Sequence, residues 1–366
     1  MPATLRKILA AVGLAFALAL GGGPAGATER LGSYPVDPGK VSISGISSGA
    51  FMANQFHVAH SALVMGAAMV AGGLYACAVE DVEGDHLHAL DTVATGPCMG
   101  WPRGLQTVET YAARVRDFAA RGWIDPLEGL KGDRVYLFTG HYDQVVNPEV
   151  VHRAARLYLS LGVAREDLKL VDNPDAGHSW VTVDYGVPCH ANRDPYINAC
   201  GYDQAGDILR HIYGPLKPRS TSLSGRFVEF SQAEFAPKDG PVENGLAAVG
   251  YLYVPKACEP GGGARCALHV ALHGCRQSAE FLHDEFYKHV GLNEWADGND
   301  IIVLYPQAHT VASKDFARKR AMDPFEINPE GCWNWFGYGY DDRYPLKDGV
   351  QVAAIYGMVR RVMGED

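Results

Sequence analysis

Apolar residues recur along the chain in two patterns: short apolar or alternating runs, and longer stretches with apolar residues three or four positions apart. The short runs predict β-strands at Val41–Ser44, Val135–Thr139, Leu168–Val171, Arg226–Phe230, Ala248–Val254, Ala267–Leu272 and Ile301–Tyr305. The longer stretches predict helices at Ala50–His60, Thr107–Arg121, Pro148–Leu161, Gln204–Tyr213, around Leu282–Ala296, and at Val350–Met363. Because strands and helices alternate, the chain is predicted to form an α/β fold with a mostly parallel central sheet flanked by helices.

One break interrupts this alternation. Between Gly214 and Gly225, residues of the types Pro, Arg, Ser, Thr and Gly cluster before new strands begin. The segment is either a linker between two domains or a surface connection within one, and α/β folds often exceed about 250 residues as one unit. We expect a single domain over residues 28–366, because the second half supplies a loop that the chemistry of the first half needs.

The first residues have the pattern of a secretory signal. Arg6 and Lys7 precede an apolar run at 8–20, and Ala-Gly-Ala follows at 25–27. The run is shorter than the ~20 residues that a membrane-spanning helix requires, and the small residues suit cleavage by signal peptidase. We therefore expect residues 1–27 to be a signal peptide and the mature protein to be secreted, extracellular or periplasmic, and not held in a membrane.

Composition narrows the classes of partner. The chain has 366 residues, of which 47% are apolar and 20% charged, which is typical of a globular protein and excludes collagen-like, coiled-coil and disordered classes. The formal net charge is −10 and no block of Lys and Arg occurs. Nucleic acids and anionic membranes are therefore not expected as partners. We assume a monomer, since no pattern in the sequence indicates an oligomeric state.

All eight cysteines follow the predicted signal segment. An even number of cysteines in an exported protein indicates disulfides. Many connectivities are possible, and pairing each cysteine with the next one along the chain closes three short loops and one longer loop. We expect the bridges Cys77–Cys98, Cys189–Cys200, Cys258–Cys266 and Cys275–Cys332.

The strongest chemical motif follows the first predicted strand. Residues 41–50 read Val-Ser-Ile-Ser-Gly-Ile-Ser-Ser-Gly-Ala, an alternating strand that leads into Gly-x-Ser-x-Gly and then a helical stretch. This is the context of a nucleophile elbow, in which a strained turn exposes a serine at the carboxyl end of a strand. We predict that Ser47 is the nucleophile and that the backbone N–H of Ser48, at the start of the helix, stabilises an oxyanion.

A serine hydroxyl needs a histidine to take its proton and a carboxylate to orient that histidine. In hydrolases with this elbow, both follow the serine in the order Asp, His. Asp143 comes just after the second predicted strand, and His178 lies in a Gly-His loop after the third. We predict that they are the acid and the base, although a capping role for Asp143 and a plain loop role for His178 are the alternatives. Asp172 and Asp175 are less favoured carboxylates, because they lie close to His178 in sequence.

The loop expected to supply a second oxyanion donor is out of its usual place. Esterases of the α/β-hydrolase type carry a His-Gly loop before the nucleophile, whereas here His273-Gly274-Cys275 lies in the last third of the chain. A circular permutation explains this order, because a chain that begins at the nucleophile strand supplies the usual first strands last. The sequence therefore predicts a circularly permuted α/β-hydrolase fold.

Several stretches resemble the secreted poly(3-hydroxybutyrate) depolymerases, especially the single-domain fungal type with this permuted fold. They are residues 44–49, 71–77, 196–203, 250–255, 268–278, 301–308 and 331–335. Together they span nearly all of the chain after residue 27. The resemblance implies a serine esterase that hydrolyses poly(3-hydroxybutyrate) or its hydroxyalkanoate oligomers through an acyl-enzyme on Ser47, with no cofactor and no metal.

The resemblance also implies roles for individual residues. Asp143 and His178 complete the catalytic triad of Ser47, and the backbone N–H groups of Ser48 and Cys275 form the oxyanion hole. The bridge between Cys275 and Cys332 holds Trp333 beside the nucleophile as a substrate-contacting surface.

Two features depart from the family pattern. Larger bacterial depolymerases carry a linker and a separate polymer-binding domain after the catalytic one, whereas this sequence ends at Asp366 with neither. Adsorption to solid polymer would then use the surface of the catalytic domain, unless the substrate is a soluble oligomer. The segment His309–Glu330, with Lys and Arg around 314–320, is unlike the fungal pattern and leaves the shape of the substrate groove open.

Other interpretations concern single residues. Cys275 is a candidate thiol nucleophile, but export and the even cysteine count favour a disulfide. His86 and His88 are candidate metal ligands without an evident third ligand. His57 and His60, on the helix after the elbow, are more consistent with packing or surface positions than with catalysis. Without the resemblance, Trp333 and Trp335 would be assigned to the core.

Two alternatives to the depolymerase function remain open at this stage. An acetyl or feruloyl esterase acting on plant polysaccharide would use the same catalytic residues on another acyl group. A non-catalytic polyester- or carbohydrate-binding protein could retain the fold, but the intact Ser, Asp and His in the expected order argue against it.

Overall fold

The computed structural model describes residues 28–173, 175–237, 244–311 and 328–365. The predicted signal peptide at 1–27 lies outside these residues, and so does most of the segment His309–Glu330, including its basic residues around 314–320.

The regular elements follow the predicted alternation. The strands are β1 Val36–Ile46, β2 Val64–Val70, β3 Val79–Glu83, β4 His86–Ala89, β5 Arg134–Gly140, β6 Leu168–Asn173, β7 Trp180–Thr182, β8 Val187–Pro188, β9 Ile197–Ala199, β10 Arg226–Ser231, β11 Val249–Val254, β12 Cys266–Leu272 and β13 Ile301–Tyr305. The α-helices are α1 Ser48–Ala59, α2 Asp91–Thr95, α3 Val108–Ala120, α4 Pro148–Leu161, α5 Gln204–Tyr213, α6 Ala279–Leu282, α7 Glu285–His289, α8 Leu292–Gly298 and α9 Val350–Met363.

Eight strands form one twisted central sheet in the order β10-β11-β13-β12-β1-β2-β5-β6. The pairs from β13 to β6 are parallel, and only β11 pairs antiparallel with its two neighbours in this sheet. The strand β1 is first in the chain but central in the sheet, and all strands on one side of it come from the second half of the chain. This order confirms the predicted circular permutation of a mostly parallel sheet.

Helices cover both faces of the sheet, which explains the long buried runs in its central strands. The helices α1, α3, α4 and α9 contribute to one apolar layer, and α5, α7 and α8 contribute to the other. Every residue of α1 is buried, and so is every residue of β12 and β13. The elbow between β1 and α1 is therefore held between well-packed elements.

Two predicted features differ from the structure. The strand β2 was not predicted, because its sequence Val-Met-Gly-Ala-Ala-Met-Val has small residues and no alternation. A Cβ on Gly66 would lie 2.7 Å from the carbonyl oxygen of Arg134, so the small residue lets β2 approach β5. The stretch Leu282–Ala296 contains α7 and most of α8 rather than one helix, because Gly291 has a positive φ of 83° between them.

The segment Gly214–Gly225 does not separate two sheets, since the central sheet contains strands from both sides of it. The chain just before β1 runs beside the end of α9, where the backbone N–H of Tyr34 donates to the carbonyl of Val362 at 2.8 Å. This proximity is what a circular permutation requires, because a short connection there would restore the usual strand order.

Four disulfides join the cysteines in the pairs expected from the sequence, Cys77–Cys98, Cys189–Cys200, Cys258–Cys266 and Cys275–Cys332. All eight cysteines are therefore engaged, and Cys275 is not a thiol nucleophile. Across the described ranges, no helix combines the length and the apolar character needed to cross a bilayer.

Candidate active site

The backbone of Ser47 adopts the conformation of a nucleophile elbow. It has φ 56° and ψ −123°, a left-handed conformation that is strained for a residue with a side chain. The surrounding backbone fixes this turn, because the N–H of Ser47 donates to Val70 O at 2.9 Å and its carbonyl accepts from Ala50 and Phe51. The hydroxyl therefore projects from the carboxyl end of the central strand into a cavity.

Two glycines allow three segments to meet at this turn. A Cβ on Gly45 would lie 2.2 Å from the carbonyl oxygen of Gly49, and a Cβ on Gly49 would lie 2.3 Å from that of His273. Side chains at either position would overlap with backbone atoms. The Gly-x-Ser-x-Gly pattern thus brings β1, α1 and the loop after β12 into contact.

Asp143 and His178 form a buried hydrogen-bonded pair beside the same cavity. The imidazole Nδ1–H of His178 donates to Asp143 Oδ2 at 2.9 Å. The side chain of His178 is 5% exposed and that of Asp143 is 0% exposed. The other carboxylate oxygen accepts the backbone N–H groups of Val145 and Val146, each at 2.8 Å. Asp143 therefore has both oxygens engaged, which fixes the tautomer of His178 with a free Nε2.

Ser47 and His178 both line the cavity, but no hydrogen bond joins their side chains among the described residues. Catalytic hydrogen bonds are often long in free enzymes and shorten when substrate binds. The structure thus brings together the three residues that the sequence predicted, with the Asp–His contact formed and the Ser–His contact open.

The two residues predicted to supply the oxyanion amides, Ser48 and Cys275, line the same cavity as Ser47. Ser48 N–H is at the first position of α1, and Cys275 N–H is in the loop after β12. Neither donates to an acceptor in the described part of the chain. The loop around Cys275 is fixed, because Gly274 N–H donates to Gln277 Oε1 at 2.7 Å and Arg276 N–H donates to Glu330 O at 2.7 Å.

His273 supports the same loop from below. Its Nε2 accepts from Ala308 N–H at 3.0 Å, and its Nδ1 donates to Gly274 O at 2.7 Å. Complete burial lowers the pKa of His273 to about 4, so the ring is neutral at pH 7 and both contacts are compatible with one tautomer. The histidine of the His-Gly-Cys motif therefore has a structural role.

The cavity has a volume of about 330 Å³ and is mostly apolar. Its walls include Phe51, Met99, Val145, Trp335 and Phe336, and Phe51 stacks on Trp335 with ring centroids 4.2 Å apart. A pocket of this size and polarity fits a short aliphatic ester.

Trp333 lies beside the nucleophile, as expected, but its side chain is not exposed to the cavity. Its backbone N–H donates to Ser48 Oγ at 3.3 Å, so the Cys275–Cys332 bridge does bring it next to the elbow. However, the side chain is 0% exposed and lies against His273, with ring centroids 5.4 Å apart. We therefore correct the expectation of a substrate-contacting surface at Trp333, because Trp335 and Phe336 supply the aromatic wall in this structure.

The other polar residues considered from the sequence have partners elsewhere. The Asp172 carboxylate contacts the rings of His141 and His152 rather than that of His178, and the backbone N–H of Asp175 donates to Asn173 Oδ1 at 2.9 Å.

The remaining histidines have structural contacts. His57 is buried between Tyr158 and Asp133, and His60 is buried against Tyr356. The rings of His86 and His88 contact the carboxylates of Asp342 and Glu83, respectively. No group of three or more His, Cys, Asp or Glu side chains suited to a metal occurs within the ranges that the structure describes.

Sequence reasoning missed residues that connect the loops. Gln277 Nε2 donates to the carbonyls of Pro195 and Tyr196 at 2.8 and 3.2 Å, and the Tyr196 ring packs edge-on against His178. These contacts link the oxyanion loop to the histidine loop. The only signal in the sequence was the density of polar residues between Cys189 and Cys200.

The chain is similar in sequence to two known depolymerases over nearly all of its length. No family model matches the chain. The chain is 39% identical over 356 residues to a poly(3-hydroxybutyrate) depolymerase of Delftia acidovorans, and the match covers 96% of this chain and 65% of that relative. It is 34% identical over 358 residues to a polyhydroxybutyrate depolymerase of Talaromyces funiculosus, covering 96% of this chain and 97% of that one.

Solved structures agree in fold. A PHB depolymerase from Penicillium funiculosum superposes with a TM-score of 0.79 at 33% identity, covering 92% of this chain and 99% of that chain. A serine-to-alanine variant of a PHB depolymerase, solved with an R3HB trimer, gives the same values. The permuted sheet and the elbow thus define an α/β-hydrolase. Within that class, the chain belongs to the polyhydroxybutyrate depolymerase family, and it spans about two thirds of the length of its bacterial relative.

Proposed function

We propose that this protein hydrolyses the ester bonds of poly(3-hydroxybutyrate) or of its oligomers. The observation that carries the proposal is the convergence of the strained Ser47, the Asp143–His178 pair and two unengaged amides on one apolar cavity. The names of both relatives support the substrate class, and the solved complex with an R3HB trimer supports an oligomer as ligand.

We assign the steps of an acyl-enzyme reaction to these residues as follows. His178 Nε2 takes the proton of Ser47, whose oxygen attacks the carbonyl carbon of the ester. The oxygen that becomes negative accepts hydrogen bonds from Ser48 N–H and Cys275 N–H, neither of which donates to another group among the described residues. His178 then gives its proton to the leaving alkoxide, so the ester bond breaks and an alcohol departs.

The second half of the reaction repeats these roles with water. His178 takes a proton from a water molecule, the resulting hydroxide attacks the acyl carbon, and the proton returns to Ser47 as the free acid leaves. Asp143 stabilises the imidazolium in both halves and does not itself take the proton. Its burial and its two backbone donors keep it in place throughout.

The apolar walls favour a polyester over a sugar ester. A 3-hydroxybutyrate unit presents a methyl group and a weakly polar ester, and Phe51, Val145 and Trp335 offer apolar contact area in the cavity that Ser47 also lines. Sugar hydroxyls in such a cavity would lose hydrogen bonds to water without replacement, at a cost of about 1–3 kcal/mol for each.

We further propose that residues 28–366 act as one catalytic domain and that residues 1–27 direct the protein out of the cytoplasm. The four disulfides support this location, because such bridges persist in oxidising compartments. A monomer that acts on polymer or oligomer without a cofactor is consistent with the site.

The test is hydrolysis of three substrates in parallel by the purified protein: amorphous poly(3-hydroxybutyrate), its trimer and a feruloylated sugar. We expect acid release from the polyester substrates, and loss of that release by several orders of magnitude in Ser47→Ala. Ser160→Ala is a matched control, because its hydroxyl only donates within α4 to Leu157 O, and its activity should equal that of the parent. Release from the feruloylated sugar alone, or turnover retained in Ser47→Ala, would overturn the proposal.

A further inference from the structure

The acid and the base of the site lie on two different loops. Asp143 follows β5 and His178 follows β6, and one hydrogen bond joins their side chains. The backbones of the two loops also meet, because Tyr142 N–H donates to Ala176 O at 3.0 Å. A misplacement of about 1 Å in such a site can cost about 100-fold in rate. The backbone of His178 itself and the backbone just after Asp143 are held by a further group.

Asn192 makes that connection with a single side chain. Its Oδ1 accepts the backbone N–H of His178 at 2.8 Å and that of Gln144 at 3.0 Å. Its Nδ2 donates to Tyr142 O at 2.9 Å and to His190 O at 3.2 Å. The amide thus holds the backbone on both sides of Asp143 and the backbone of His178 itself.

The segment that carries Asn192 is itself held in place. The Cys189–Cys200 disulfide closes it, and Cys189 O accepts from Gly177 N–H at 2.8 Å, one residue before His178. Within the segment, Asn198 Nδ2 donates to the carbonyls of Cys189 and Ala191. Asn192 therefore extends from a loop that is braced by its own disulfide and internal hydrogen bonds as well as by a contact with the histidine loop.

We propose that Asn192 is a positioning residue of the triad: it acts through His178 and Asp143 by setting the distance and angle between them. The proposal rests on the proposed function, because it assigns a part in the same reaction. Asn192 does not touch the cavity, so it contacts no substrate and its effect falls on the chemical step rather than on binding.

The half-exposed position of Asn192 separates this role from a purely stabilising one. Three of the four hydrogen bonds of Asn192, those to Gln144, Tyr142 and His190, lie at the surface, where water can replace them when the side chain is removed. Water cannot hold two loops at a fixed distance. The loss of activity on truncation should therefore exceed what the loss of stability explains.

The test is a double-mutant cycle with Asp143→Ala, measured as kcat and KM on p-nitrophenyl butyrate and on the 3-hydroxybutyrate trimer. If Asn192 acts through the Asp–His pair, its effect depends on that pair being present. Asn192→Ala should lower kcat about 10- to 100-fold in the parent, with KM changed less than about threefold. In the Asp143→Ala background, the same substitution should lower kcat by less than about threefold.

Asn299→Ala is the matched control. Asn299 also joins two segments through both ends of its amide, accepting from Lys217 N–H and donating to the carbonyls of Lys217 and Trp295, and it is absent from the cavity lining. We expect a similar change in melting temperature and an unchanged kcat. If Asn192→Ala does not fold, Asn192→Ser carries the same cycle, because its hydroxyl is too short to reach both loops.

Equal losses of kcat in the two backgrounds, or a loss in the parent no larger than that of Asn299→Ala, would overturn the proposal. A failure of the proposed function is distinguishable from a failure of the proposal for Asn192. It appears in the unmutated protein as absent trimer hydrolysis, whereas the cycle on the p-nitrophenyl ester still reports on Asn192.

Discussion

Gly49→Ala is expected to inactivate the protein without unfolding it. A Cβ at this position would lie 2.3 Å from His273 O and 2.5 Å from Leu272 O. Both are backbone atoms, so no side-chain rotation relieves the overlap. Because the favourable separation of such atoms is about 3.5 Å, the start of α1 and the end of β12 would have to separate by about 1 Å.

That displacement reaches the oxyanion hole. Cys275 follows His273 by two residues, so its N–H would move away from the position at which we propose that it binds the oxyanion together with the N–H of Ser48. Loss of one oxyanion donor typically costs about 10²- to 10³-fold in kcat. The overlap itself costs about 1–3 kcal/mol of stability, and alanine regains about 1 kcal/mol over glycine within a helix. The net loss of stability is therefore small beside the loss of rate.

The assay compares kcat on the trimer with the melting temperature of each variant. Gly39→Ala is the matched control, since the nearest atom to a Cβ there is Asp37 Oδ1 at an ordinary 3.6 Å. We expect kcat of Gly49→Ala to fall at least about 100-fold while the protein remains folded. A kcat within twofold of the Gly39→Ala value would refute the argument that this close approach places the oxyanion amide.

Three further predictions follow from the structure. Removing the Cys275–Cys332 bridge with the double substitution Cys275→Ser and Cys332→Ser should lower kcat about tenfold or more, because the disulfide no longer holds the Cys275 amide in place. Removing the Cys258–Cys266 bridge in the same way should lower only the thermal stability. Equal kcat values for the two double variants would contradict this prediction. Phe336→Ala removes part of the apolar wall of the cavity and should lower kcat/KM on the trimer by about 10-fold, which corresponds to a loss of roughly 1–2 kcal/mol of apolar contact. The effect on the smaller ester p-nitrophenyl acetate should be weaker. An equal effect on both esters would argue against contact between this wall and the substrate. Burial lowers the pKa of His269 to about 3 in the folded protein, below its value of about 6.5 in the unfolded chain. At a pH between these two values, His269 binds a proton in the unfolded chain but not in the folded protein. The contribution of neutral His269 to the unfolding free energy should therefore be fully present above pH 6.5 and decrease as the pH falls. Between these two pKa values, the unfolding free energy of His269→Gln should decrease less steeply than that of the parent, by about 1.4 kcal/mol per pH unit. Equal slopes for the two proteins would show that His269 does not titrate in this way.

Much of the site was predictable because parallel strands end at the same edge of a sheet. Ser47, Asp143 and His178 each lie in the turn or loop that follows a predicted strand, so placing those strands in one sheet also brings the three residues to the same edge. The permutation was predictable from the order of the motifs alone, because the His-Gly-Cys loop follows the serine instead of preceding it.

Other features depend on tertiary contacts that leave no pattern in the sequence. The strand β2 was missed because its small residues are selected by close packing against β5 rather than by alternation. Trp333 and Trp335 have the same residue type two positions apart, and only the packing against His273 and Phe51 determines which one is buried away from the cavity. Asn192 binds backbone groups on two other loops, and backbone partners have no sequence signature.

The central claim is that Ser47 and the N–H groups of Ser48 and Cys275 converge on one carbonyl. A crystal structure of the protein after reaction with an alkyl phosphonate ester, which mimics the tetrahedral intermediate, tests it most directly. We expect phosphorus bonded to Ser47 Oγ, one phosphonyl oxygen about 2.7–3.1 Å from both amide nitrogens, and His178 Nε2 within hydrogen-bonding distance of Ser47 Oγ. An adduct on another residue, or a phosphonyl oxygen directed away from these two amides, would contradict the account.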